Sequence, residues 1–585
     1  MGKGACITAA IAMAALFLVL AVRLKAVQLD SAATANDSMR RQSTRRVQTG
    51  GERGRILDRN GMVLAENRPS VSISIDAMPY RKNSWTGTAE AMLVAISNAA
   101  EVVGLEPAVG LKEITRHVKQ RLSMPLTVWR DVDEKTLARF AEHQDSLDGF
   151  SIEEGFERKY PQGSLASHLL GYVGRDRPAA AAGDERFNFI DFELRGRSGL
   201  EFYYDSFLKG VPGEMDVVVD ARGFARREVT LVEPQKGFDL VLNLDARLQA
   251  VAEAQLDGLK GACVVMDARD GGILAMASSP GYDLNGCVPV MRQSHYNALS
   301  NDPGKPLLNR AVAGGYAPGS TFKPLTAIAG MEAGVDPFAE YECIGHYRMG
   351  EFKIRCSRTW GHGPTDVLGG LRDSCNPFFC NLGMIAGTNT LFSVARAFGL
   401  GSKTGIDYPS DFAGVVPDDA WKRLHYGEPW YPGDLAQMSI GQGMLMVSPL
   451  QMAMVAGAIG TGRLVTPRCK AGGTVESRPL PYAEAEFAAV REGMRRVVTG
   501  GTGKLGAKDV MADVIGKTGT AEVGRGETRR KNTWFIAYAK GNAKSNPETR
   551  NAEVAVAMVV ENGESGGGTT APKVCEILKA VYNGP

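Results

Sequence analysis

The chain has 585 residues, of which 44% are hydrophobic and 23% carry a charge, and its formal net charge is +2. This length exceeds what one hydrophobic core supports and predicts two or more domains. Because acidic and basic residues nearly balance, we predict no nucleic-acid partner. The cysteines number nine, and an odd count argues against a fully paired disulfide framework.

The first segment, residues 1–27, contains an uncharged apolar run over 5–22 with basic residues at both ends. At about 1.5 Å per residue, this run nearly spans the roughly 30 Å hydrocarbon core of a membrane. The alternative is a cleaved signal peptide, but the small-x-small sequence Ala33-Thr34-Ala35 lies far beyond the run and cations intervene. We therefore predict an uncleaved single-pass anchor in the cell membrane, followed by a polar stalk over 28–50.

The next segment, residues 51–234, has mixed patterns and no catalytic cluster. Two short apolar runs flank Asn60-Gly61, which is the strongest local hairpin signal. Residues 71–76 alternate with period two, as a half-buried strand does, and residues 88–144 have mainly helical spacing. We predict a mixed α/β accessory domain, or pedestal, which stands between the membrane and the active site; the family resemblance given below implies that it is of the dimerisation type.

The last segment, residues 235–585, begins with a strand, an amphipathic helix and a hairpin around Asp270-Gly271. It ends with three successive strands and a closing helix, which we predict at 514–523, 533–539, 554–561 and 571–583. Short strands with tight links pair as antiparallel neighbours. The predicted fold class is α+β, with an antiparallel sheet completed by both ends of the domain and flanked by helices.

A serine and a lysine three residues apart, Ser320 and Lys323, lie where the pattern predicts the first turn of a helix. Residues at this spacing share a helix face, with Cβ atoms about 5–6 Å apart. The serine is a candidate nucleophile, and the lysine can act as its base if burial or a nearby cation lowers its pKa. Alone, Ser-x-x-Lys is common by chance, and Ser320 could simply cap the helix.

Two further motifs follow in a characteristic order, namely Ser374-Cys375-Asn376 after a helical stretch and Lys517-Thr518-Gly519-Thr520 on a predicted strand. The trio is typical of penicillin-binding proteins and serine β-lactamases. We assign a proton relay to Ser374 and contact with the substrate amide to Asn376. Lys517 is assigned to a substrate carboxylate, together with the Thr518 and Thr520 hydroxyls.

The backbone amides of Ser320 and Thr520 are expected to form the oxyanion hole that acyl transfer requires. Gly519 lacks a side chain, which would let the substrate backbone lie against the strand edge. No cofactor is needed for this chemistry. Substrate-binding residues are therefore predicted at Thr518, Gly519 and Thr520.

Several other segments resemble the recurring segments of class B penicillin-binding proteins, and the likeness covers nearly everything from Arg53 onward. The segments are Arg53–Gly61, Arg158–Pro161, His168–Gly174, Gly199–Glu201 and Met438–Gly443. The resemblance implies a membrane-anchored, penicillin-sensitive D,D-transpeptidase that crosslinks peptidoglycan stem peptides. It also implies a cytoplasmic N-terminus, a catalytic domain on the outer face and a membrane-embedded glycan polymerase as partner.

Two other functions share parts of this pattern. A β-lactamase has the same nucleophile and fold, but no Glu-x-x-x-Asn element of the kind that positions deacylating water lies between Asn376 and Lys517. A β-lactam sensor or divisome scaffold would be acylated without turnover. Signal-transducing relatives have several membrane spans, whereas one span is predicted here.

Three cysteines and one histidine, at Cys343, Cys356, His362 and Cys375, lie between the first two catalytic motifs. Thiolate and imidazole are the usual ligands of a closed tetrahedral Zn²⁺ site. The region is similar to that of sporulation and division class B proteins from spore-forming Gram-positive bacteria, some of which bind zinc there. The alternatives are a disulfide between Cys343 and Cys356, or free thiols. His346 could replace His362, and Cys380 could compete as a ligand.

Overall fold

The computed structural model describes residues 3–26, 28, 43–176, 188–190, 193–504, 509–524 and 529–583. Its first element, helix α1 (Lys3–Lys25), is apolar and carries no acidic residue in its first turn. The segment Cys6–Lys25 has a mean hydropathy of 2.4 and is 0% buried, so it has the length and composition of a membrane span. One other described helix, Asn376–Ala397, is long and apolar enough, but 56% of it is buried within the protein. That helix is part of a core.

The pedestal comprises sixteen helices and strands among its described residues. In chain order they are β1 (Thr44–Thr49), β2 (Ile56–Leu57), β3 (Val63–Ile75), α2 (Trp85–Val103), α3 (Leu111–Gln120), β4 (Leu126–Trp129), α4 (Glu134–Glu142), β5 (Phe150–Lys159), α5 (Ser167–Leu170), β6 (Val173–Asp176), β7 (Phe189–Ile190), β8 (Glu193–Gly196), α6 (Gly199–Tyr203), α7 (Asp205–Leu208), β9 (Gly213–Val219) and β10 (Ala225–Val232). One sheet has the order β10-β9-β1-β7, and another is built on β3, which pairs with β2, β4 and β5.

The core of the pedestal lies between strand β3 and the helices that follow it. Ile73 and Ile75 of β3 are fully buried in one cluster with Met92 and Ile96 of α2. The two isoleucines are two residues apart and so point to the same face of the strand. The period-two pattern of residues 71–76 therefore identified a real strand.

An ion cluster joins three distant parts of the pedestal. The carboxylate of Glu201, on α6, accepts hydrogen bonds from Arg53 at 2.7 Å and from Arg158 at 2.8 Å. All three side chains are almost completely inaccessible to solvent. Burial alone would raise the pKa of Glu201, but the two guanidinium groups lower it below its usual value. We call this group the pedestal ion cluster.

The second domain starts with a two-residue strand, β11 (Leu240–Val241), that pairs in parallel with β2 of the pedestal. Its remaining elements are α8 (Ala246–Ala254), β12 (Gly261–Asp267), β13 (Ile273–Ser279), α9 (Gln293–Asn301), α10 (Lys323–Glu332), β14 (Tyr341–Cys343), β15 (His346–Met349), β16 (Phe352–Arg355), β17 (Gly363–Thr365), α11 (Val367–Asp373), α12 (Asn376–Ala397), α13 (Asp419–Tyr426), α14 (Pro432–Met438), α15 (Pro449–Thr461), β18 (Arg463–Val465), β19 (Ser477–Pro479), α16 (Glu484–Thr499), β20 (Ala512–Val523), β21 (Arg530–Gly541), β22 (Glu553–Glu561) and α17 (Ala571–Tyr582).

The central sheet of this domain has the order β13-β12-β22-β21-β20, and every neighbouring pair is antiparallel. Helices cover both faces of the sheet. Successive residues of a strand point to opposite faces, so neighbouring residues belong to different cores. Val265 of β12 shares a core with Val574 of α17, whereas Val264 shares another with Met452 of α15. The predicted α+β fold, with a sheet completed by both ends of the domain, is confirmed. Strand β20 is left at one edge.

Two local expectations differ from the structure. Part of the predicted stalk is strand β1, which pairs with β9 from Thr44 to Thr49, while residues 29–42 of the stalk lie outside the described residues. Only Val47 of this strand is buried, so the sequence carries no alternation that would reveal it. The predicted helical region 88–144 also contains strand β4, four residues long, which pairs with β3.

Candidate active site

A cleft of about 1070 Å³ lies between the helical part of the second domain and the edge strand β20. The three motifs meet at this cleft. Its lining includes six of the predicted site residues, namely Ser320, Ser374, Asn376, Thr518, Gly519 and Thr520. Lys323 and Lys517 are fully buried behind this lining. All eight predicted catalytic and substrate-binding residues therefore belong to one site.

Ser320 lies in a single 3-10 turn, Gly319–Phe322, that leads directly into helix α10. Gly319 has φ of +56°, and a Cβ built there would lie 3.0 Å from the carbonyl oxygen of Thr520. Only glycine adopts this backbone conformation easily and also leaves room for such an approach. The turn is held from the other side, since the indole Nε1 of Trp534 donates to the Ala317 carbonyl at 3.0 Å. The backbone of Ser320 is thus fixed beside that of Thr520.

Lys323 is the first residue of α10, and its ammonium group points to the second motif. Its Nζ donates to the Ser374 carbonyl at 2.7 Å, to Asn376 Oδ1 at 2.7 Å and to Ser374 Oγ at 3.2 Å. No described carboxylate forms an ion pair with it. Burial lowers the pKa of Lys323 to about 8, because removal from water penalises the charged form.

Ser374 joins the two lysines. It follows helix α11, whose first turn is capped by Asp366, and it has left-handed φ of +56°, which non-glycine residues seldom adopt. Its Oγ accepts a hydrogen bond from Lys517 Nζ at 3.0 Å, in addition to the one from Lys323. Burial lowers the pKa of Lys517, and the charge of Lys323 lowers it further. A hydroxyl between two amines is suited to carry protons.

Two contacts in the cleft were missed by the sequence analysis. The hydroxyls of Thr502 and Thr518 lie 2.6 Å apart, so a residue of the loop after α16 contacts the third motif. Asn376 Nδ2 donates to the carbonyl of Arg355 at 2.9 Å, so the last residue of β16 holds the amide of the second motif. The glycines around Thr502 indicate a tight turn, but a backbone carbonyl such as that of Arg355 leaves no sequence signal.

Gly519 has a packing role that differs from the one expected from the sequence. A Cβ at this position would lie 2.9 Å from the Pro318 carbonyl and 2.9 Å from Thr321 Cγ2. Both contacts belong to the turn that carries Ser320. The glycine therefore lets the third motif approach the first, whether or not substrate is bound.

The four predicted metal ligands, Cys343, Cys356, His362 and Cys375, form one cluster, in which the candidate ligand atoms all lie within 4.8 Å of one another. His362 Nδ1 is 3.2 Å from Cys356 Sγ and 3.8 Å from Cys343 Sγ, and the sulfurs of Cys356 and Cys375 are 4.0 Å apart. A tetrahedral site with Zn–S bonds of about 2.3 Å and Zn–N bonds of about 2.0–2.1 Å requires separations of this size. The donor set and its spacing fit zinc.

The alternatives for this cluster are also tested by the structure. None of the nine cysteines forms a disulfide, so Cys343 and Cys356 are not joined, and bound metal and free thiols are the two states that fit the cluster. The cluster formed by the described residues does not include His346 or Cys380. Cys380 instead lies with its sulfur 3.5 Å from the carbonyl of Ala436.

Comparison with known proteins identifies the family. A family model for the penicillin-binding protein transpeptidase domain matches residues 261–581, and one for the penicillin-binding protein dimerisation domain matches residues 48–242. This chain belongs to the class B penicillin-binding proteins. It is accordingly a serine-type D,D-transpeptidase, as the three motifs predicted.

Relatives match this class B protein over nearly its full length. Peptidoglycan D,D-transpeptidase MrdA of Acinetobacter baumannii is 30% identical over 97% of this chain and 85% of the relative. The protein of the same name from Escherichia coli K12 is 31% identical over 91% and 86%. Stage V sporulation protein D of Bacillus subtilis is 28% identical over 96% and 83%, so the predicted sporulation branch is supported only loosely.

Solved structures have the same architecture. PBP2 of Helicobacter pylori, in a complex with MreC, has a TM-score of 0.78 and 26% identity, and the match covers 92% of this chain and 98% of that one. A chain from a peptidoglycan synthase complex, described for its coordination of polymerization and crosslinking, has a TM-score of 0.72 and 28% identity over 100% and 99%. Both matches extend through pedestal and transpeptidase domain.

Proposed function

We propose that this class B protein crosslinks peptidoglycan stem peptides that end in D-Ala-D-Ala, through an acyl-enzyme on Ser320. The observation that carries this proposal is the position of Ser374 Oγ, within hydrogen-bond distance of both Lys323 and Lys517. Such an arrangement provides a base, a relay and a positive field in one cleft.

The first half-reaction begins when Ser320 Oγ attacks the carbonyl carbon of the penultimate D-Ala. Its proton passes to the neutral amine of Lys323, and the negative charge on the carbonyl oxygen is stabilised by the backbone amides of Ser320 and Thr520. The C–N bond then breaks, and the departing D-Ala amine receives the proton from Lys323 by way of the Ser374 hydroxyl. The product is an ester between Ser320 and the donor peptide.

The second half-reaction reverses these steps with a different amine. An amine of a neighbouring stem peptide attacks the ester carbonyl and gives up a proton through Ser374 to Lys323. The ester C–O bond breaks, the proton returns to Ser320 Oγ, and a new peptide bond joins the two strands. Every group returns to its starting state, so acyl transfer requires no cofactor.

Four residues hold the donor peptide in this proposal. Lys517 attracts its terminal carboxylate, and the hydroxyls of Thr518 and Thr520 donate hydrogen bonds to it. Asn376 binds the amide next to the scissile bond. Thr502 acts through Thr518, because a hydroxyl that accepts a hydrogen bond from one side is turned to donate on the other.

We also propose that Cys343, Cys356, His362 and Cys375 bind Zn²⁺. The bound ion supplies a structural cross-link. The chain's own residues transmit the effect, since Cys356 directly follows Arg355, whose carbonyl holds Asn376 at 2.9 Å, and Cys375 lies between Ser374 and Asn376. A fixed cluster therefore fixes the second motif.

The zinc proposal is tested by measuring metal content and penicillin acylation together. We expect the purified chain to contain about one zinc per molecule, and Cys343→Ala to lose the metal and slow acylation by about 10–100-fold. Cys575→Ala, at an equally buried thiol in α17, should keep both. Metal-free protein that is acylated at the full rate would disprove the proposal.

The apolar N-terminal helix is the basis of a proposal for the membrane topology and the partner of the enzyme. We propose that residues 1–27 span the cell membrane once with the N-terminus in the cytoplasm, and that residues 51–234 and 235–585 form the pedestal and the transpeptidase domain on the outer face. The proposed partner is a membrane-embedded glycan polymerase, which reaches the chain through α1 and the pedestal. The synthase complex noted above supports such a partner.

A fluorescent penicillin tests the catalytic assignment. Because β-lactams mimic D-Ala-D-Ala, the full chain should form a long-lived adduct that Ser320→Ala loses completely. Rapid release of the label would instead identify a β-lactamase, and a stable adduct without any transpeptidation of peptide substrates would identify a sensor. The absence of an adduct would disprove the assignment of Ser320.

A further inference from the structure

The catalytic cleft carries an excess of positive charge outside its catalytic residues. Its lining includes Lys353 and Arg355 on one wall and Lys531 on the other, all of them exposed. We call these three residues the cationic rim. Clefts with one sign of charge concentrate ligands of the opposite sign.

The carboxylates in the same lining do not neutralise the rim. They are Asp373, which pairs with Arg372 at 2.6 Å, and Glu522, which pairs with Arg529. Among the described residues, no ion pair involves Lys353, Arg355 or Lys531. The rim therefore retains a net positive charge for a ligand.

The rim lies where the upstream part of a donor peptide would run. Strand β20 leads from Lys517 to Glu522, and Lys531 is the residue paired with Glu522 on β21. A peptide whose terminal carboxylate is held near Lys517 and Thr518 would extend along this edge by about 3.3 Å per residue. The residues before D-Ala-D-Ala then approach Lys531.

The opposite wall is tied to Asn376, which in the proposed function binds the amide next to the scissile bond. Asn376 Nδ2 donates to the carbonyl of Arg355, and the side chains of Lys353 and Arg355 share one face of β16 because they are two residues apart. The backbone amide of Cys356, the next residue, donates to the Gly345 carbonyl at 2.9 Å. This wall is consequently held in place and does not depend on the substrate to order it.

We propose that the cationic rim selects donor stem peptides with a free carboxylate on the residues that precede D-Ala-D-Ala, in preference to peptides in which that group is amidated. The proposal rests on the proposed transpeptidase function and names the substrate class of the same site. The preference is electrostatic and lies in the side chains of Lys353, Arg355 and Lys531.

The test compares two synthetic pentapeptides that differ only in the D-glutamyl α-group, which is a free carboxylate in one and a carboxamide in the other. With the full chain in detergent, we expect kcat/KM for the carboxylate peptide to be about five- to tenfold higher at low salt. The ratio should fall toward one as salt screens the rim.

Variants assign the preference to the rim. Lys353→Gln with Arg355→Gln should reduce the ratio to about two, and Lys353→Glu with Arg355→Glu should invert it. Lys531→Gln, on the other wall, should reduce it independently, which covers the case that the double variants fold poorly. The matched control is Lys544→Gln, an exposed lysine beyond the opposite end of β21, which should keep the wild-type ratio.

Labelling with fluorescent penicillin distinguishes a failure of the rim proposal from a failure of the proposed transpeptidase function. A wild-type enzyme that is labelled on Ser320 but has equal kcat/KM for both peptides would overturn the rim proposal alone. A preference that survives in all the rim variants would do the same. An enzyme that penicillin does not label would overturn the proposed function and the rim proposal with it.

Discussion

Buried charged side chains are held in different ways in the pedestal and in the active site. In the pedestal ion cluster, Glu201 lies between Arg53 and Arg158, and each charge has a partner of opposite sign. In the active site, Lys323 and Lys517 are equally buried, but both donate to the uncharged Ser374. Paired charges remain charged and hold parts of the chain together. An unpaired buried amine loses its charge more easily, which suits Lys323 to act as a base.

The largest effect on the acylation rate should come from removing the amine of Lys323. Lys323→Met keeps the length and apolar stem of the side chain but removes the base, and we expect penicillin acylation to slow by at least about 10²–10⁴-fold. Thermal unfolding should change little or shift upward, because an unpaired buried amine is replaced by an apolar group. Stopped-flow acylation and circular dichroism measure the two effects. Fast acylation of a folded variant would contradict the role of Lys323.

In the pedestal, we expect a substitution to lower stability and to leave the acylation rate unchanged. Glu201→Gln leaves the buried guanidinium of Arg158 without a counter-charge and Arg53 with Asp205 alone, and it should lower the free energy of unfolding by about 3–5 kcal/mol. The acylation rate of molecules that remain folded should not change. The matched control is Glu492→Gln, since Glu492 also contacts two arginines, Arg495 and Arg496, but on an exposed helix face. That change should cost less than about 1 kcal/mol. Equal losses would refute the distinction between the two regions.

The buried Lys323 should make both acylation and stability depend on pH. Since burial lowers the pKa of Lys323 to about 8, the base is protonated at lower pH and acylation should rise up to tenfold per pH unit until it levels off near pH 8. Between about pH 8 and the ordinary lysine pKa of about 10.4, the unfolded state binds more protons, so stability should increase with pH. Lys323→Met should reduce that increase, and the part that remains comes from Lys517, whose pKa burial also lowers. A flat acylation profile from pH 6 to 9 would contradict the assigned pKa.

The smallest effect concerns the neutral contact between Thr502 and Thr518. Thr502→Val removes one hydroxyl without a change of shape, and a neutral hydrogen bond contributes about 0.5–1.5 kcal/mol. We expect kcat/KM for D-Ala-D-Ala peptides to fall by about three- to tenfold, mainly through KM. Thr502→Ser should restore it, which a purely structural role for the methyl group would not predict.

The catalytic motifs were predictable because each is a short pattern of chemically committed residues, and their order excluded coincidence. The clustering of Cys343, Cys356, His362 and Cys375 was predicted from their residue types and is confirmed, while their role as metal ligands stays a prediction. The contacts of Arg355 and Thr502 were not predictable. One uses a backbone carbonyl that any residue has, and the other joins a loop to a strand sixteen residues later through tertiary packing.

Some strands of the fold were predictable from the sequence pattern and others were not. The strands of the central sheet are long and apolar, so their spacing revealed them. Strand β1 has a single buried residue, and β4 is only four residues long, so neither rises above the surrounding pattern. Both are strands because β9 and β3, respectively, offer them a partner.

The close approach of Gly319 and Gly519 has a consequence for drug resistance. A side chain at either position would meet the backbone of the other catalytic motif, at 3.0 Å for Gly319 and 2.9 Å for Gly519. Selection for weaker β-lactam binding therefore cannot enlarge these residues without displacing Ser320 or Thr520 and losing wall synthesis too. Escape mutations should accumulate instead where only a side chain faces the cleft, such as Lys353 on β16.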